Sequence, residues 1–174
     1  DNTNDCLEIR IRANSRDLQR YIQLPSFSSD YDVQFCPEGG NLIAGMVQVV
    51  AFRAQSVNGR SKSVKGKLYN SKGEQVAELA TEHYGMGRFV MRAEAAESYY
   101  AEFTSDEGIT KRFELPKVEP YGVGVRVMRK QDGFAILVQA SAGIDIANYA
   151  AVIHSRGAVM SVIENLYRRQ DTDS

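Results

Sequence analysis

Arg112-Phe113-Glu114-Leu115-Pro116 is one copy of a short motif that also occurs as Arg20-Tyr21-Ile22-Gln23-Leu24-Pro25. Each copy is followed by a tyrosine and a new apolar run. Leu24 and Leu115 are 115 − 24, or 91, residues apart. That distance is the length of one small β-sandwich domain and is far longer than a solenoid repeat. The repeat therefore predicts one complete domain between the two copies, with a further domain on either side.

The segment between the copies contains seven short apolar runs separated by turn-forming residues. The predicted strands are 32–36, 47–54, 63–70, 75–81, 88–93, 98–104 and 110–115. Turn signals such as Asn58-Gly59 and Ser71-Lys72-Gly73 lie between them. Regular short strands without a convincing helical window predict a complete immunoglobulin-like antiparallel β-sandwich over residues 31–118.

The segment before it, residues 1–27, holds only one hairpin. Apolar and charged side chains alternate over residues 7–13, and residues 18–24 return as a second strand. Two strands alone cannot bury enough apolar surface to be stable. Residues 1–27 are therefore predicted to be the closing hairpin of a truncated preceding domain.

The segment after it, residues 119–174, is predicted to be a partial following β-sandwich domain. Its expected strands are 123–129 and 134–140, which form a hairpin, and 148–155. A last element over residues 159–166 suits a helix by spacing and a strand by its β-branched content, and the strand is favoured. The whole chain is thus predicted to be all-β, with immunoglobulin-like antiparallel β-sandwich domains in tandem and short Pro-containing linkers at 25–31 and 116–121.

Composition and charge argue against several classes of partner. The chain of 174 residues has 43% hydrophobic residues, and 21 Lys and Arg against 22 Asp and Glu give a formal charge of −1. The chain therefore has no net positive charge that would attract a phosphate backbone or an anionic membrane leaflet. Nucleic acid is not expected as a partner. No stretch approaches the roughly 20 apolar residues of a membrane span, so direct membrane insertion is not expected. Residues 1–5 are no signal peptide, and any export signal is expected upstream.

The two cysteines, Cys6 and Cys36, lie on either side of a predicted domain boundary and lack metal-ligand spacing. Two free buried thiols are the default interpretation. A disulfide between them is the alternative, so the compartment stays open on this observation.

The sequence offers little for catalysis, metal binding or cofactor binding. His83 precedes a glycine-rich turn over which its ring is expected to pack, and His154 stands beside Ser155, whose side chain points to the opposite face of a strand. The best oxygen ligands are two pairs of acidic residues that are commonplace in loops, namely Asp30 with Asp32 and Asp106 with Glu107. We therefore expect no enzyme, no metal and no cofactor.

Gly85-Met86-Gly87 is not expected to hold a phosphate, because no strand-to-helix transition follows it. A tight β-turn with positive φ angles explains the two glycines better.

Tyrosines are the remaining candidates for a ligand surface, since the chain has no Trp. Tyr99 shares a strand face with Ala101 and is assigned to the core, whereas Tyr100 shares its face with Glu102 and is predicted to be exposed. Tyr84 lies in the glycine-rich turn. Tyr84 and Tyr100 are therefore the candidates for stacking on a ligand such as a sugar.

Four pieces of the central segment resemble a macroglobulin-type domain, the module repeated through the α2-macroglobulin and complement superfamily and related bacterial surface proteins. They are Asp32-Val33-Gln34-Phe35-Cys36-Pro37-Glu38-Gly39-Gly40-Asn41-Leu42, Val49-Val50-Ala51-Phe52-Arg53-Ala54, His83-Tyr84-Gly85-Met86-Gly87-Arg88-Phe89 and Tyr99-Tyr100-Ala101-Glu102-Phe103. The resemblance covers about half of the chain. It depends on the four pieces occurring together and in this order.

The resemblance implies an exported, extracytoplasmic protein of several domains, in the periplasm or at the outer-membrane surface. Its partners would be proteins, either neighbouring domains of the parent chain or an outer-membrane receptor of the TonB-dependent kind. It implies no catalysis, because neither cysteine lies in the Gly-Cys-Gly-Glu-Gln setting of the superfamily's thioester.

The expected function is therefore that of a non-catalytic structural and protein-interaction module from a larger bacterial surface or outer-membrane protein. The alternative is a carbohydrate-binding accessory module of a polysaccharide uptake system. Incomplete flanking domains would expose apolar strand faces, so a homo-oligomer formed through them is a further expectation.

Overall fold

β-Strands make up most of the structure. The computed structural model describes residues 6–13, 16–23 and 29–164. The strands are β1 (Cys6–Ala13), β2 (Arg16–Gln23), β3 (Tyr31–Pro37), β4 (Leu42–Ile43), β5 (Val47–Ser56), β6 (Val64–Asn70), β7 (Gln75–Ala80), β8 (Met86–Arg92), β9 (Tyr99–Ser105), β10 (Thr110–Glu114), β11 (Val118–Glu119), β12 (Val123–Lys130), β13 (Gly133–Ala140), β14 (Ala151–Ser155) and β15 (Ala158–Ile163). One turn of 3-10 helix, η1 (Ile146–Asn148), precedes β14. No helical segment of this described part is long or apolar enough to cross a membrane.

Two antiparallel sheets face each other in the centre of the chain. One has the strand order β3-β5-β8 and the other the order β10-β9-β6-β7. Along β5 and β9 every second side chain is buried, as expected for strands with one face on a core. The ring centroids of Phe52 on β5 and Phe103 on β9 are 5.0 Å apart, so the two sheets share this core. The predicted all-β fold with antiparallel sheets is confirmed.

All seven strands predicted for the central segment are present, with ends shifted by at most two residues. Two short strands were not predicted, β4 and β11, and they pair in parallel. Val118 lies beside Leu42, and Glu119 beside Ile43. A strand of two residues shows no alternation that a sequence pattern could reveal.

Gln48 is a buried polar residue that fixes the connection between β3 and β4. Its Nε2 donates to the carbonyl oxygens of Asn41 at 2.7 Å and Glu38 at 3.2 Å, and its Oε1 accepts from the Ile43 N–H at 2.7 Å. One side chain therefore satisfies three backbone groups that the loop leaves without a strand partner.

The flanking segments form hairpins. β1 pairs with β2, β12 with β13, and β14 with β15, each antiparallel. The last element is a strand, β15, as favoured, while the predicted strand 148–155 begins only at Ala151, after η1. Large apolar side chains are exposed on all three hairpins, including Leu18 and Ile22 on β2, Val127 on β12 and Phe134 on β13.

Candidate functional site

The connection from the central sheets to β12 is a structured junction, formed by residues 38–46 and 119–127. The Ala44 N–H donates to the Glu119 carbonyl oxygen at 2.9 Å, which extends the parallel β4–β11 pair. Glu38 Oε1 accepts the Val127 N–H at 2.9 Å, and Glu38 Oε2 lies 3.9 Å from Arg126 Nε. Part of the predicted 116–121 linker is therefore strand-paired, and the hairpin after it is bonded back to the β3–β4 loop.

Glycines allow close contact at this junction. A Cβ on Gly39 would lie 2.9 Å from the Val125 nitrogen, and a Cβ on Gly124 would lie 3.1 Å from the Met46 sulfur. Both distances are tighter than ordinary van der Waals contact. The backbone of β12 thus passes directly against the loop that Gln48 holds.

The outer face of the four-stranded sheet carries an aromatic and charged surface. The rings of Tyr69 on β6 and Tyr100 on β9 are stacked with centroids 5.3 Å apart. The guanidinium carbon of Arg112 on β10 lies 3.6 Å from the Tyr100 centroid, within cation–π range. Because β6 and β10 flank β9 on opposite sides, Tyr100 is held between Tyr69 and Arg112.

A shallow groove of about 580 Å³ lies on this same outer face. Its polar lining includes Lys65, Lys67, Tyr69, Glu78 and Glu102. In the register, Lys67 lies between Glu78 on β7 and Glu102 on β9. The groove therefore combines alternating charge with one aromatic wall.

The two predicted stacking residues lie far from each other along the sandwich. Tyr100 sits in the register row of Tyr69 and Gln75, at the start of β7, whereas Tyr84 follows the other end of β7 in the turn before β8. Tyr84 is exposed and Tyr100 is half-buried. The structure therefore does not bring them together into one platform. Tyr99 is in the core, as predicted, and its hydroxyl accepts the Glu94 N–H at 3.0 Å.

The glycine-rich turn before β8 packs closely against its neighbours. The His83 ring lies 3.9 Å from the Tyr84 ring, centroid to centroid, and both side chains are exposed. Gly85 has φ +72°, which agrees with the predicted turn. Gly87 does not need a positive φ, contrary to expectation. Its hydrogen leaves room for the Phe52 ring and the Ala80 carbonyl oxygen, with which a Cβ would collide.

Cys36 is an exposed free thiol, so the prediction of a buried thiol at this position is wrong. Its strand, β3, buries Tyr31, Val33 and Pro37, leaves Phe35 half-buried and exposes the residues that alternate with these, so position 36 falls on the solvent side. The side chain of Cys6 lies outside the described residues.

In each of the two acidic pairs considered for a cation, one member binds a lysine instead. Lys111 Nζ lies 2.8 Å from Asp30 Oδ1, and Lys62 Nζ lies 2.6 Å from Glu107 Oε1. The hydrogen bond from Lys111, aided by the Tyr31 N–H, lowers the pKa of Asp30. Within the described ranges, no group of three His, Cys, Asp or Glu side chains could hold a metal ion.

Sequence reasoning did not single out Glu38, Tyr69 or Arg112. Tyr69 and Arg112 could have been found once β6, β9 and β10 were aligned, because their positions alternate with core residues. Glu38 gave no signal, since its partners lie about 90 residues along the chain.

No protein-family model matches the chain, and no curated protein matches it. The junction and the outer faces of the two central sheets are therefore the features that bear on function.

Proposed function

We propose that the chain is a non-catalytic spacer and protein-interaction segment of a larger exported bacterial surface or outer-membrane protein. In this proposal residues 31–118 are a complete immunoglobulin-like macroglobulin domain, residues 1–27 close a preceding domain, and residues 119–174 begin a following one. The sequence resemblance supports the family and the extracytoplasmic location. The structured junction is the observation that supports the spacer role.

A spacer must hold one domain in a fixed orientation relative to the next, which a flexible tether cannot do. Here the parallel β4–β11 pair ends at Glu119, and Glu38 binds the Val127 N–H eight residues later. A charged acceptor bonded to a backbone N–H is a comparatively strong hydrogen bond. These contacts fix the first strand of the following segment against the central sheets, so consecutive domains keep one orientation.

The test is a distance distribution between spin labels at Lys72→Cys and Gln131→Cys, with Cys6 and Cys36 changed to Ser. We expect a narrow distribution, broadened by Glu38→Ala because the Val127 N–H loses its acceptor. The matched control is Glu82→Ala, which removes an exposed acid elsewhere and should leave the distribution narrow. A broad distribution before any change at Glu38 would show a flexible tether and would contradict the spacer role.

The groove on the four-stranded sheet favours a second candidate function, a carbohydrate-binding accessory module of a polysaccharide uptake system. Open grooves lined by an aromatic ring and alternating polar groups suit sugars, which present apolar faces and hydroxyls. Both faces of the Tyr100 ring are covered by neighbours, so Tyr69 supplies the wall in this alternative.

A glycan array of the 174-residue chain tests this alternative. Saturable sugar binding that Tyr69→Ala abolishes, and that Tyr84→Ala leaves unchanged, would favour the carbohydrate module over the spacer. Tyr84 is the matched control because it is exposed but lies outside the groove. An array without saturable binding would rule the carbohydrate module out.

A further inference from the structure

Strand β8 is the edge of the three-stranded sheet, and among the described residues β5 is its strand partner. Its register with β5 runs from Arg53 beside Met86 to Val47 beside Arg92 without a bulge. The other edges are less accessible: β3 ends at Pro37, which has no N–H, β7 pairs across an irregularity at Leu68 and Tyr69, and β10 has only five residues. β3 and β8 are the longest edge strands of the central sheets, with seven residues each, and of the two only β8 contains no Pro.

The direction of the backbone groups of β8 follows from one hydrogen bond. The Ala54 N–H donates to the Gly85 carbonyl oxygen at 2.7 Å, so this is a hydrogen-bonded pair. Bonded and non-bonded pairs alternate along an antiparallel ladder. Odd-numbered residues of β8 therefore bond to β5, and the N–H and C=O groups of the even-numbered ones point away from it.

Met86 confirms this direction, since its N–H and C=O bind His83 and Glu82 of the preceding turn. Within residues 29–164, no backbone group is bonded to the outer side of Arg88, Val90 or Arg92. These three residues thus present free donors and acceptors along about 13 Å of edge, at 3.3 Å per residue.

The side chains of the same three residues lie on the outer face of the sheet. Within the described ranges, neither Arg88 nor Arg92 is in an ion pair, and the same holds for Arg53 on β5. Asp32 is the one acidic side chain from the three strands on this face. The opposite outer face is balanced, with Lys65, Lys67 and Arg112 against Glu78, Glu102 and Glu114.

We propose that β8 binds an extended acidic segment of a partner protein by strand addition. The proposal rests on the proposed function as an interaction segment and names the surface and the partner's chemistry. Main-chain hydrogen bonds would supply the pairing, and cross-strand side chains would supply the specificity. The matching segment is Glu-Xaa-Val-Xaa-Glu, which places Glu beside Arg88 and Arg92 and Val beside Val90.

A second copy of the chain is disfavoured at this edge. If β8 paired with β8 about Val90, each Arg88 would face an Arg92 of the other copy. Like charges directly opposite each other destabilise a strand pair. The arginines therefore select for an acidic partner and against self-association.

The test uses the 174-residue chain and the blocked peptide Thr-Glu-Thr-Val-Thr-Glu-Thr, with a peptide carrying Lys in place of Glu as control. Amide hydrogen exchange by NMR should show fast exchange at Arg88, Val90 and Arg92 in the free protein, and slow exchange at Gly87, Phe89 and Met91. The Glu peptide should slow exchange at the first three amides, whereas the Lys peptide should not. Equal protection by both peptides, or protection of the three amides before any peptide is added, would overturn the proposal.

Two kinds of variant separate the contribution of charge from that of backbone pairing. Arg88→Ala and Arg92→Ala should each weaken Glu-peptide binding by up to about fivefold, the range of an exposed ion pair, and Arg53→Ala, on the neighbouring strand, should weaken it less. Val90→Pro should fold, because the lost N–H points away from β5, and should abolish binding. Val90→Thr should bind nearly as the unchanged chain does. Wild-type binding by a folded Val90→Pro would overturn strand addition and leave the junction test of the spacer role unaffected.

Discussion

Tyr31 joins β3 to the opposite sheet through its hydroxyl. The residue is 1% exposed, and its Oη donates to the Phe103 carbonyl oxygen at 2.7 Å and lies 3.2 Å from that of Ile109. Tyr31→Phe should lower the free energy of unfolding by about 1 kcal/mol, because it removes one buried hydrogen bond and leaves a carbonyl less well satisfied. Urea unfolding measures the change. The control, Tyr121→Phe at an exposed ring, should change nothing, and equal effects from both would contradict this role.

Asp30 contributes a pH dependence of known sign. The Lys111 hydrogen bond lowers its pKa in the folded state below the ordinary 3.8. Above that value both states are ionised and the stabilisation is complete. As the pH falls below it, the unfolded chain takes up the proton first and the stabilisation is lost. Asp30→Asn should therefore flatten the decline of stability below about pH 4. Urea titrations from about pH 6 to pH 2.5 test this, and a decline in Asp30→Asn as steep as in the unchanged chain would contradict it.

Sequence alone placed single residues well where one strand face decides their surroundings. Tyr99, Ala101 and Phe103 are in the core as their alternation indicated. Cys36 was misplaced because its apolar character was weighed above its position in that same alternation. Glu38 could not be found, because its role depends on a backbone N–H that only the folded chain brings near.

At the scale of elements, alternation located the strands but not their partners. The seven central runs became strands, yet the pairing of β4 with β11 joins residues about 75 positions apart and involves two residues on each side. Such a pair is specified by the packing around it. Leu42 and Val118 both belong to the core between the sheets.

Leu42→Ala should therefore lower the free energy of unfolding by about 2–5 kcal/mol, since it opens a cavity where the side chain is fully buried. The matched control is Val57→Ala in an exposed turn, which should stay within about 0.5 kcal/mol. Chemical denaturation of both variants gives the comparison. A loss at Leu42 no larger than that at Val57 would show that the β4–β11 pair is not anchored in the core.

At the scale of the whole molecule, the flanking hairpins expose much more apolar surface than the central sheets. Phe134 is 73% exposed, and Leu18 and Ile22 lie together on one face of the β1–β2 hairpin. We expect the chain to associate as its concentration rises, because these faces can bury each other between copies. Sedimentation velocity should show a rising average mass that deletion of residues 1–25 lowers.

A matched pair of variants refines this experiment. Leu18→Ser with Ile22→Ser should reduce association, whereas Gln19→Ser, on the other face of the same strand, should not. A chain that stays monomeric at every concentration and remains soluble without residues 1–25 would contradict association through the hairpins.

The parallel pairing of β4 with β11 also has a mechanical consequence. When Leu42 and Glu119 are pulled apart, the load falls on opposite ends of two strands that run side by side in the same direction. Opposed pull on parallel neighbours slides them lengthwise, so their bonds must break together and cannot open one after another. The β4–β11 pair would therefore resist a pull along its own length better than a pull that peels its two strands apart.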